Sequence, residues 1–394
     1  MSNDRTTMPL PSRSVIDQVR FMRRHFHQNP EVSFQEHTTT QTIIDHLRQL
    51  GLDIKKCPTE TGAVAMLDTG RPGRTVMLRA DIDALPIHEE SGVDFHSKID
   101  GRMHACGHDA HTAIMLGVAH TLVDRIWDVA GRYLFVFQPA EEIVEGAKAM
   151  VAGGLLDTHR PDAVVGLHVT SFTESGTVIT RPGLLWAGSD AFDVRFDGPG
   201  GHGGMMGRKG NVLAAQAFFV EHLHTVVDGL ELDGAQCHVT VGNISGDGAW
   251  NIVPRGVLVQ GSVRTFNHEL RTQAMQRLND LLKEVDTEFD VRSSIDIVHR
   301  TVPLMNEPNV TRTVMEVGRE LIGEKASLLG RPLTVSDDFA EFLTRIPGCY
   351  FMLGARPEGD TPPAHHSPTF RIDEEAFRVG VTMLAGAASR LAAQ

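Results

Sequence analysis

Three short, largely apolar runs, Thr75–Arg79, Tyr133–Phe137 and Ala163–Leu167, each break off at residue types able to bind metals or move protons. The first leads into Ala80-Asp81-Ile82-Asp83, the second into Gln138-Pro139-Ala140-Glu141-Glu142, and the third into His168. Thr75–Arg79 lacks polar alternation, as suits a central strand buried on both faces. Between the runs lies a helical pattern over Thr112–Arg125, with Ile114, Met115, Val118, Ala119 and Leu122 on one face. Strands alternating with helices predict an α/β layer fold. Such folds gather function at the carboxyl ends of their strands. Three successive ends carrying Asp81/Asp83, Glu141/Glu142 and His168 therefore predict a shared site.

The flanking sequence fits the same frame. Helices are expected over Ser14–Gln28, stopped by Asn29-Pro30, and over Glu36–Leu50, capped by Gly51. From Ala191 onward the pattern changes to strand (Phe192–Phe196), glycine-rich loop (Gly198–Gly204) and helix (Val212–Val227). Strands at His238–Val241 and Gly256–Val263, a helix at Leu270–Val285 and a strand at Ser294–Val298 follow. This β-α-β-β-α-β order is the split ferredoxin-like pattern, a self-contained unit. Helices over Val310–Ile322 and Glu374–Leu391, with a strand over Gly348–Leu353, then resume the first pattern. The organisation expected is a discontinuous catalytic domain, residues 1–187 and 301–394, interrupted by an inserted domain over 188–300.

The densest chemistry lies in Met103-His104-Ala105-Cys106-Gly107-His108-Asp109-Ala110-His111. Cys106 and His108 are separated only by glycine, so a bend there turns a thiolate and an imidazole toward one centre. These are ligands that borderline-soft divalent ions prefer. Two ligands do not make a site, and a histidine cluster on a solvated loop has the same appearance. Glu141 and Glu142 could divide their work, one on a metal and one as a general base, or simply stabilise a helix N-terminus. His168 alone reads equally as a core histidine, and His365-His366 as an exposed loop pair. Convergence of Cys106, His108, Glu142, His168 and one of His365/His366 is what points to two metal ions with a shared water.

The net charge of −13 and pI near 5.8 argue against nucleic-acid or anionic-membrane partners. No apolar stretch is long enough to span a bilayer, and Met1–Ser14 lacks the apolar core of a signal peptide. Cys57, Cys106, Cys237 and Cys349 form no disulfide-like pattern. A cytoplasmic location with reduced thiols is the expectation.

With these motifs in place, the chain resembles the peptidase family M20 amidohydrolases, in particular the aminoacylase, hippurate hydrolase and auxin-conjugate hydrolase subfamily. The matching stretches are Arg79–Pro86, Met103–His111, Phe137–Glu142, Gly166-Leu167-His168, Gly201-His202, Asn251–Pro254 and His366-Ser367-Pro368. The resemblance implies a zinc-peptidase-like domain, with a mixed sheet flanked by helices, and an inserted ferredoxin-like α+β domain that forms a homodimer. It implies Cys106, His108, Glu142, His168 and His366 as ligands of two divalent ions, zinc or manganese with cobalt and nickel open. Glu141 matches the general base, and Asp83 an aspartate that orients the metal centre, although a strand-end turn residue reads the same way. His202 matches a histidine that polarises the scissile carbonyl, and Asn251 and Arg264 match residues that hold the substrate carboxylate. The implied reaction is hydrolysis of N-acetyl or N-aroyl amino acids to a carboxylic acid and a free amino acid. A dipeptidase-like enzyme and a non-catalytic metal- or ligand-binding relative are the alternatives. Two stretches depart from the family pattern: Gly203-Gly204 after His202, and Asp337-Asp338-Phe339 in place of Glu-Asp-Phe. His365 beside His366 leaves the last ligand open between them.

Overall fold

The computed structural model describes residues 8–359 and 361–394, so residues 1–7 of the polar N-terminal segment lie outside the described residues. The chain divides into two compact units. One comprises the chain through Gly183, then Met305–Gly330 and Asp338–Gln394; the other comprises Leu184–Leu304 and Arg331–Asp337. The short return of Arg331–Asp337 to the second unit has no counterpart in the sequence boundaries.

The first unit is built on an eight-stranded mixed sheet. Its strand order is Asp53–Lys55, Ala63–Asp68, Arg132–Gln138, Thr75–Asp81, Ala163–Glu174, Gly348–Arg356, Val178–Thr180 and Ala326–Leu328. The strands from Arg132–Gln138 to Gly348–Arg356 run parallel, with antiparallel pairings flanking them. Successive side chains alternate across a strand. Val76, Leu78, Phe135, Phe137, Val165 and Leu167 thus enter one core with helices Arg13–Gln28, His108–Asp124, Pro308–Ile322 and Phe377–Ala392. Arg79, Gly166 and His168 belong to the opposite face. There the helix Phe339–Leu343 packs so closely that a Cβ on Gly166 would stand 2.9 Å from the Phe339 ring.

Arg79 on that face is a guanidinium taken fully out of water, which is costly unless it is paired. It donates to Asp81 at 2.6 Å, to Asp338 at 2.9 Å and to Gln138 at 2.8 Å. Two carboxylates and an amide thus replace its hydration, and the end of strand Thr75–Asp81 is fixed to the helix start at Asp338.

Two elements near the Met103–His111 stretch differ from the sequence expectation. The helix expected from Thr112 begins at His108, because Gly107 sits in the left-handed region at φ 92° as its N-cap. The strand expected to end at Leu167 continues to Glu174, since Gly348–Arg356 pairs with it past His168. His168 is therefore an interior strand residue. Short helices at Gly146–Ala152, Leu155–His159 and Phe339–Leu343 were not visible in the sequence.

The second unit has strands Gly188–Asp197, His238–Gly246, Gly256–Thr265 and Arg292–Thr301, with helices Val212–His222 and His268–Phe289. The first helix is shorter than the expected Val212–Val227 and gives way to a 3-10 turn at Leu223–Val226. The sheet is antiparallel, and His238–Gly246, Gly256–Thr265, Gly188–Asp197 and Arg292–Thr301 follow one another across it. That is the ferredoxin-like arrangement. Phe192, Val194, Phe196 and Val259 pack against Phe219, Leu278 and Val285 in its core. The buried Asp190 carboxylate takes two hydrogen bonds at 2.8 Å from Arg271, tying the first strand to the second helix.

Candidate metal centre

The centre forms where the Met103–His111 motif meets three strands of the first unit. Gly107 makes the bend between Cys106 and His108. Besides its positive φ, a Cβ there would lie 2.3 Å from Val169 Cγ2, so only glycine lets the motif approach strand Ala163–Glu174. Cys106 Sγ then stands 3.5 Å from His168 Nε2. Cys106, His108 and His168 form one group of ligand atoms lying within 4.8 Å of one another. Cys106, Glu142 and His366 form a second, and His108, Glu141 and Glu142 a third.

Ring hydrogen bonds settle which nitrogen of each histidine faces this centre. His108 Nδ1 donates to the Asp83 carbonyl at 2.9 Å. Among the described residues its Nε2 is buried without a hydrogen-bond partner, 3.8 Å from Asp81 Oδ2 and 3.9 Å from carboxylate oxygens of both Glu141 and Glu142. A buried lone pair costs free energy unless something occupies it. His168 Nδ1 donates to the Val169 carbonyl at 2.6 Å, which leaves Nε2 directed at Cys106. His111 differs: its Nδ1 bonds Asp81 at 2.5 Å and its Nε2 accepts from Val169 N–H at 2.8 Å. Both of its ring nitrogens are engaged, so it is not a ligand as placed.

The carboxylate of Asp83 faces two backbone N–H groups, the Ser33 hydroxyl and the His108 ring, whose Nδ1 lies 3.3 Å from Oδ1. Oδ1 accepts from Glu141 N–H at 3.1 Å, and Oδ2 accepts from Glu142 N–H at 3.0 Å and from Ser33 at 2.7 Å. Asp83 thus positions the two glutamates and, through its carbonyl, His108. The sequence offered Asp83 as a residue that orients the centre or ends a strand, but not these partners, and Ser33 carries no motif signal. Behind the pair, buried Glu36 accepts from Ala140 N–H at 2.9 Å and from Thr61 at 2.7 Å. Ala140, Val144 and His366 all have positive φ values, 55°, 59° and 61°. Strained backbone of this kind persists where surrounding structure fixes it, commonly at functional sites.

The adjacent histidines separate by environment. His365 Nε2 accepts from Ser171 N–H at 3.4 Å, with Nδ1 3.8 Å from Cys106 Sγ. His366 turns toward Glu142, with Nε2 3.4 Å from Oε2, and its backbone N–H is held by the Ala105 carbonyl at 2.9 Å.

The electrostatics favour added positive charge. Burial pushes the Cys106 thiol well above its ordinary value, and Glu142 and Glu141 push the same way. Burial opposes charge on His108, yet Asp81, Asp83 and Cys106 hold its pKa well above the usual histidine value. His168 is driven well below it by burial and by His111 and His365. Asp81, Asp83, Glu141 and Glu142 thus surround a thiol and two imidazoles that bind a cation in their deprotonated forms. The donor set and the buried His108 lone pair fit divalent metal.

The sequence profile of peptidase family M20/M25/M40 matches residues 77–390, a span that contains Cys106, His108, Glu141, Glu142, His168 and His366. The chain belongs to this family. The N-acetyl-L-cysteine deacetylase of Bacillus subtilis (strain 168) is 34% identical over 384 residues, covering 97% of this chain and 90% of the relative. An Arabidopsis thaliana IAA-amino acid hydrolase (ILR1-like 5) is 32% identical over 401 residues, covering 99% and 91%. Among solved structures, the Bacillus subtilis YXEP protein, a dinuclear metal binding peptidase from the M20 family, superposes with a TM-score of 0.80. It is 28% identical, with 97% of this chain and 99% of that chain covered.

Within this M20 chain, the other residues singled out in the sequence lie in the second unit. His202 is exposed on a two-residue strand, Gly201–His202, paired with Ile252–Val253. Asn251 adjoins that ribbon, its carbonyl accepting from Gly203 N–H at 2.8 Å. Arg264, on strand Gly256–Thr265, donates to Ser336 at 2.8 Å.

Proposed function

We propose that this chain is a metal-dependent amidohydrolase that cleaves N-acyl amino acids into a carboxylic acid and a free amino acid. The observation that carries the reading is the buried His108 Nε2 among Cys106, Glu141 and Glu142, a donor set for divalent metal beside a carboxylate suited to proton transfer. The deacetylase and amino acid hydrolase among its relatives support the substrate class.

Cys106, His108, Glu142, His168 and His366 would hold two divalent ions, Cys106 belonging to both groups of ligand atoms. A thiolate among imidazoles and a carboxylate favours zinc on softness, with manganese next and cobalt or nickel compatible. When bound, the ions supply Lewis acidity to an attacking water and to the acyl carbonyl. Glu141 accepts the proton from that water as the new C–O bond forms. It returns the proton to the nitrogen as the C–N bond breaks, so the amine leaves neutral. Asp83 keeps Glu141 and Glu142 in register through their backbone N–H groups. His202 is assigned to the acyl carbonyl, and Asn251 and Arg264 to the substrate carboxylate.

We assign the second unit, bounded near residues 188 and 300, to homodimer formation. Strand His238–Gly246 lies at its sheet edge and is largely exposed, leaving hydrogen-bonding groups for another strand. Free thiols at all four cysteines fit a cytoplasmic enzyme. Among the described residues, no helix is long and apolar enough to cross a membrane.

A side-by-side assay tests the reading: N-acetyl and N-benzoyl amino acids against dipeptides, with metal-replete and chelated protein. Turnover of the N-acyl amino acids that disappears on chelation is the expected result. Faster cleavage of dipeptides would favour a dipeptidase, and no hydrolysis by metal-replete protein would favour a binding protein without turnover.

A further inference from the structure

We propose that His111 is a positioning residue for His168, its Nδ1 hydrogen held by Asp81 and its Nε2 lone pair by the Val169 N–H. This deepens the reading above, since it rests on His168 being a metal ligand.

The parallel ladder between strands Thr75–Asp81 and Ala163–Glu174 ends at the pair Arg79↔Gly166. Val169 lies three residues past that end, and no carbonyl of the neighbouring strand receives its N–H. His111 Nε2 receives it instead, at 2.8 Å. An imidazole thereby takes the place of a missing strand partner beside His168. The His168 ring is fastened to the same residue, donating through Nδ1 to the Val169 carbonyl at 2.6 Å. The N–H and C=O of Val169 are therefore both used to hold the strand and ring that direct His168 Nε2 at Cys106.

This arrangement permits only one form of His111. Its Nε2 must keep a lone pair to accept from Val169, so its proton resides on Nδ1, where Asp81 Oδ1 accepts it at 2.5 Å. The other Asp81 oxygen is taken by Arg79 Nη1 at 2.6 Å. Asp81 and Arg79 are both fully buried, and Asp338 and Gln138 fix the guanidinium from its other side. A protonated His111, or one carrying its proton on Nε2, would set two N–H donors against each other at Val169.

Asp81→Asn keeps the side-chain shape, and since Asp81 Oδ2 also lies 3.8 Å from His108 Nε2, the double variant separates the tautomer from the lost charge. Arg79 needs an acceptor, so the new amide turns its oxygen to Arg79 and its NH₂ to His111. That moves the His111 proton to Nε2, against Val169. The same tautomer logic makes an aspartate-to-asparagine change costly beside a catalytic histidine in serine proteases.

The test uses the full chain as Asp81→Asn, His111→Phe and the double variant, loaded with Co²⁺. Metal retained against a chelator and the visible Co²⁺ spectrum are the readouts. Each single variant should bind one of two ions about 10–100-fold more weakly, with a changed spectrum, the range found on loss of groups that orient metal ligands. The double variant should be no worse than His111→Phe, because the tautomer conflict requires the imidazole. Wild-type retention and spectrum in Asp81→Asn, or additive losses in the double variant, would overturn the assignment. ¹⁵N-histidine NMR of the wild-type protein decides the same point without a variant. It should report a neutral His111 protonated on Nδ1, and an Nε2–H or doubly protonated ring would refute the inference. If wild-type protein binds no ion, the functional reading fails, and the NMR result alone decides the tautomer lock.

Discussion

Glu141→Gln is expected to leave metal content unchanged and to lower turnover by about 10²–10⁴-fold, the range for loss of general acid–base catalysis. Glutamine preserves the side-chain shape and the backbone N–H that Asp83 Oδ1 holds at 3.1 Å. What disappears is the ability to take a proton from water and return it to the leaving nitrogen. Because Glu142 follows directly and its own N–H is held separately by Asp83 Oδ2, the assigned ligand stays in place. KM should change little, since the missing interaction develops in the transition state. Turnover close to wild type, with metal content measured on the same sample, would remove Glu141 from the mechanism.

Cys106→Ser is expected to be more damaging to the centre itself. Cys106 belongs to both the Cys106–His108–His168 and Cys106–Glu142–His366 groups, so its loss weakens both ion positions together. A serine hydroxyl is shorter, harder and far less acidic than a thiol, and a poor replacement for a thiolate ligand. The variant should lose both ions on dialysis while keeping its thermal transition near that of metal-free wild type. In the wild-type protein the same assignment predicts a thiol that is slow to alkylate with metal present and faster once chelator is added. Free reaction of Cys106 in metal-replete protein would contradict the coordination.

Much of this architecture is legible in the sequence because it rests on local patterns. The apolar runs at Thr75–Arg79 and Tyr133–Phe137 are strands since only strands fit between their flanking turns and helices. The β-α-β-β-α-β order alone indicates a ferredoxin-like unit. What stayed hidden depends on tertiary contacts. Gly107 begins a helix four residues earlier than periodicity implies, because Val169 leaves no room for a Cβ. Strand Ala163–Glu174 outruns its apolar stretch because Gly348–Arg356, far away in sequence, supplies a partner.

The site shows the same division. Ligand-type residues could be nominated from Cys106-Gly107-His108, Glu141-Glu142 and His168, but their ring and carboxylate directions could not. That Asp83 uses its carboxylate on the N–H groups of Glu141 and Glu142 follows from the parallel pairing of Thr75–Asp81 with Arg132–Gln138, which brings residues 58 and 59 positions apart together. His111, three residues past the helix start at His108, reads in the sequence as a helix-start residue or one that orients ligands. Its position between Asp81 and Val169 is what makes it a brace.

The central claim is that hydrolysis depends on divalent ions held by these residues. The most direct measurement is to strip the protein with chelator, return zinc or manganese stepwise, and follow bound ions per chain and N-acyl amino acid hydrolysis together. The account predicts no turnover in the stripped protein, recovery with added ion, and saturation at two ions per chain. Full turnover by protein shown to contain no metal would contradict it.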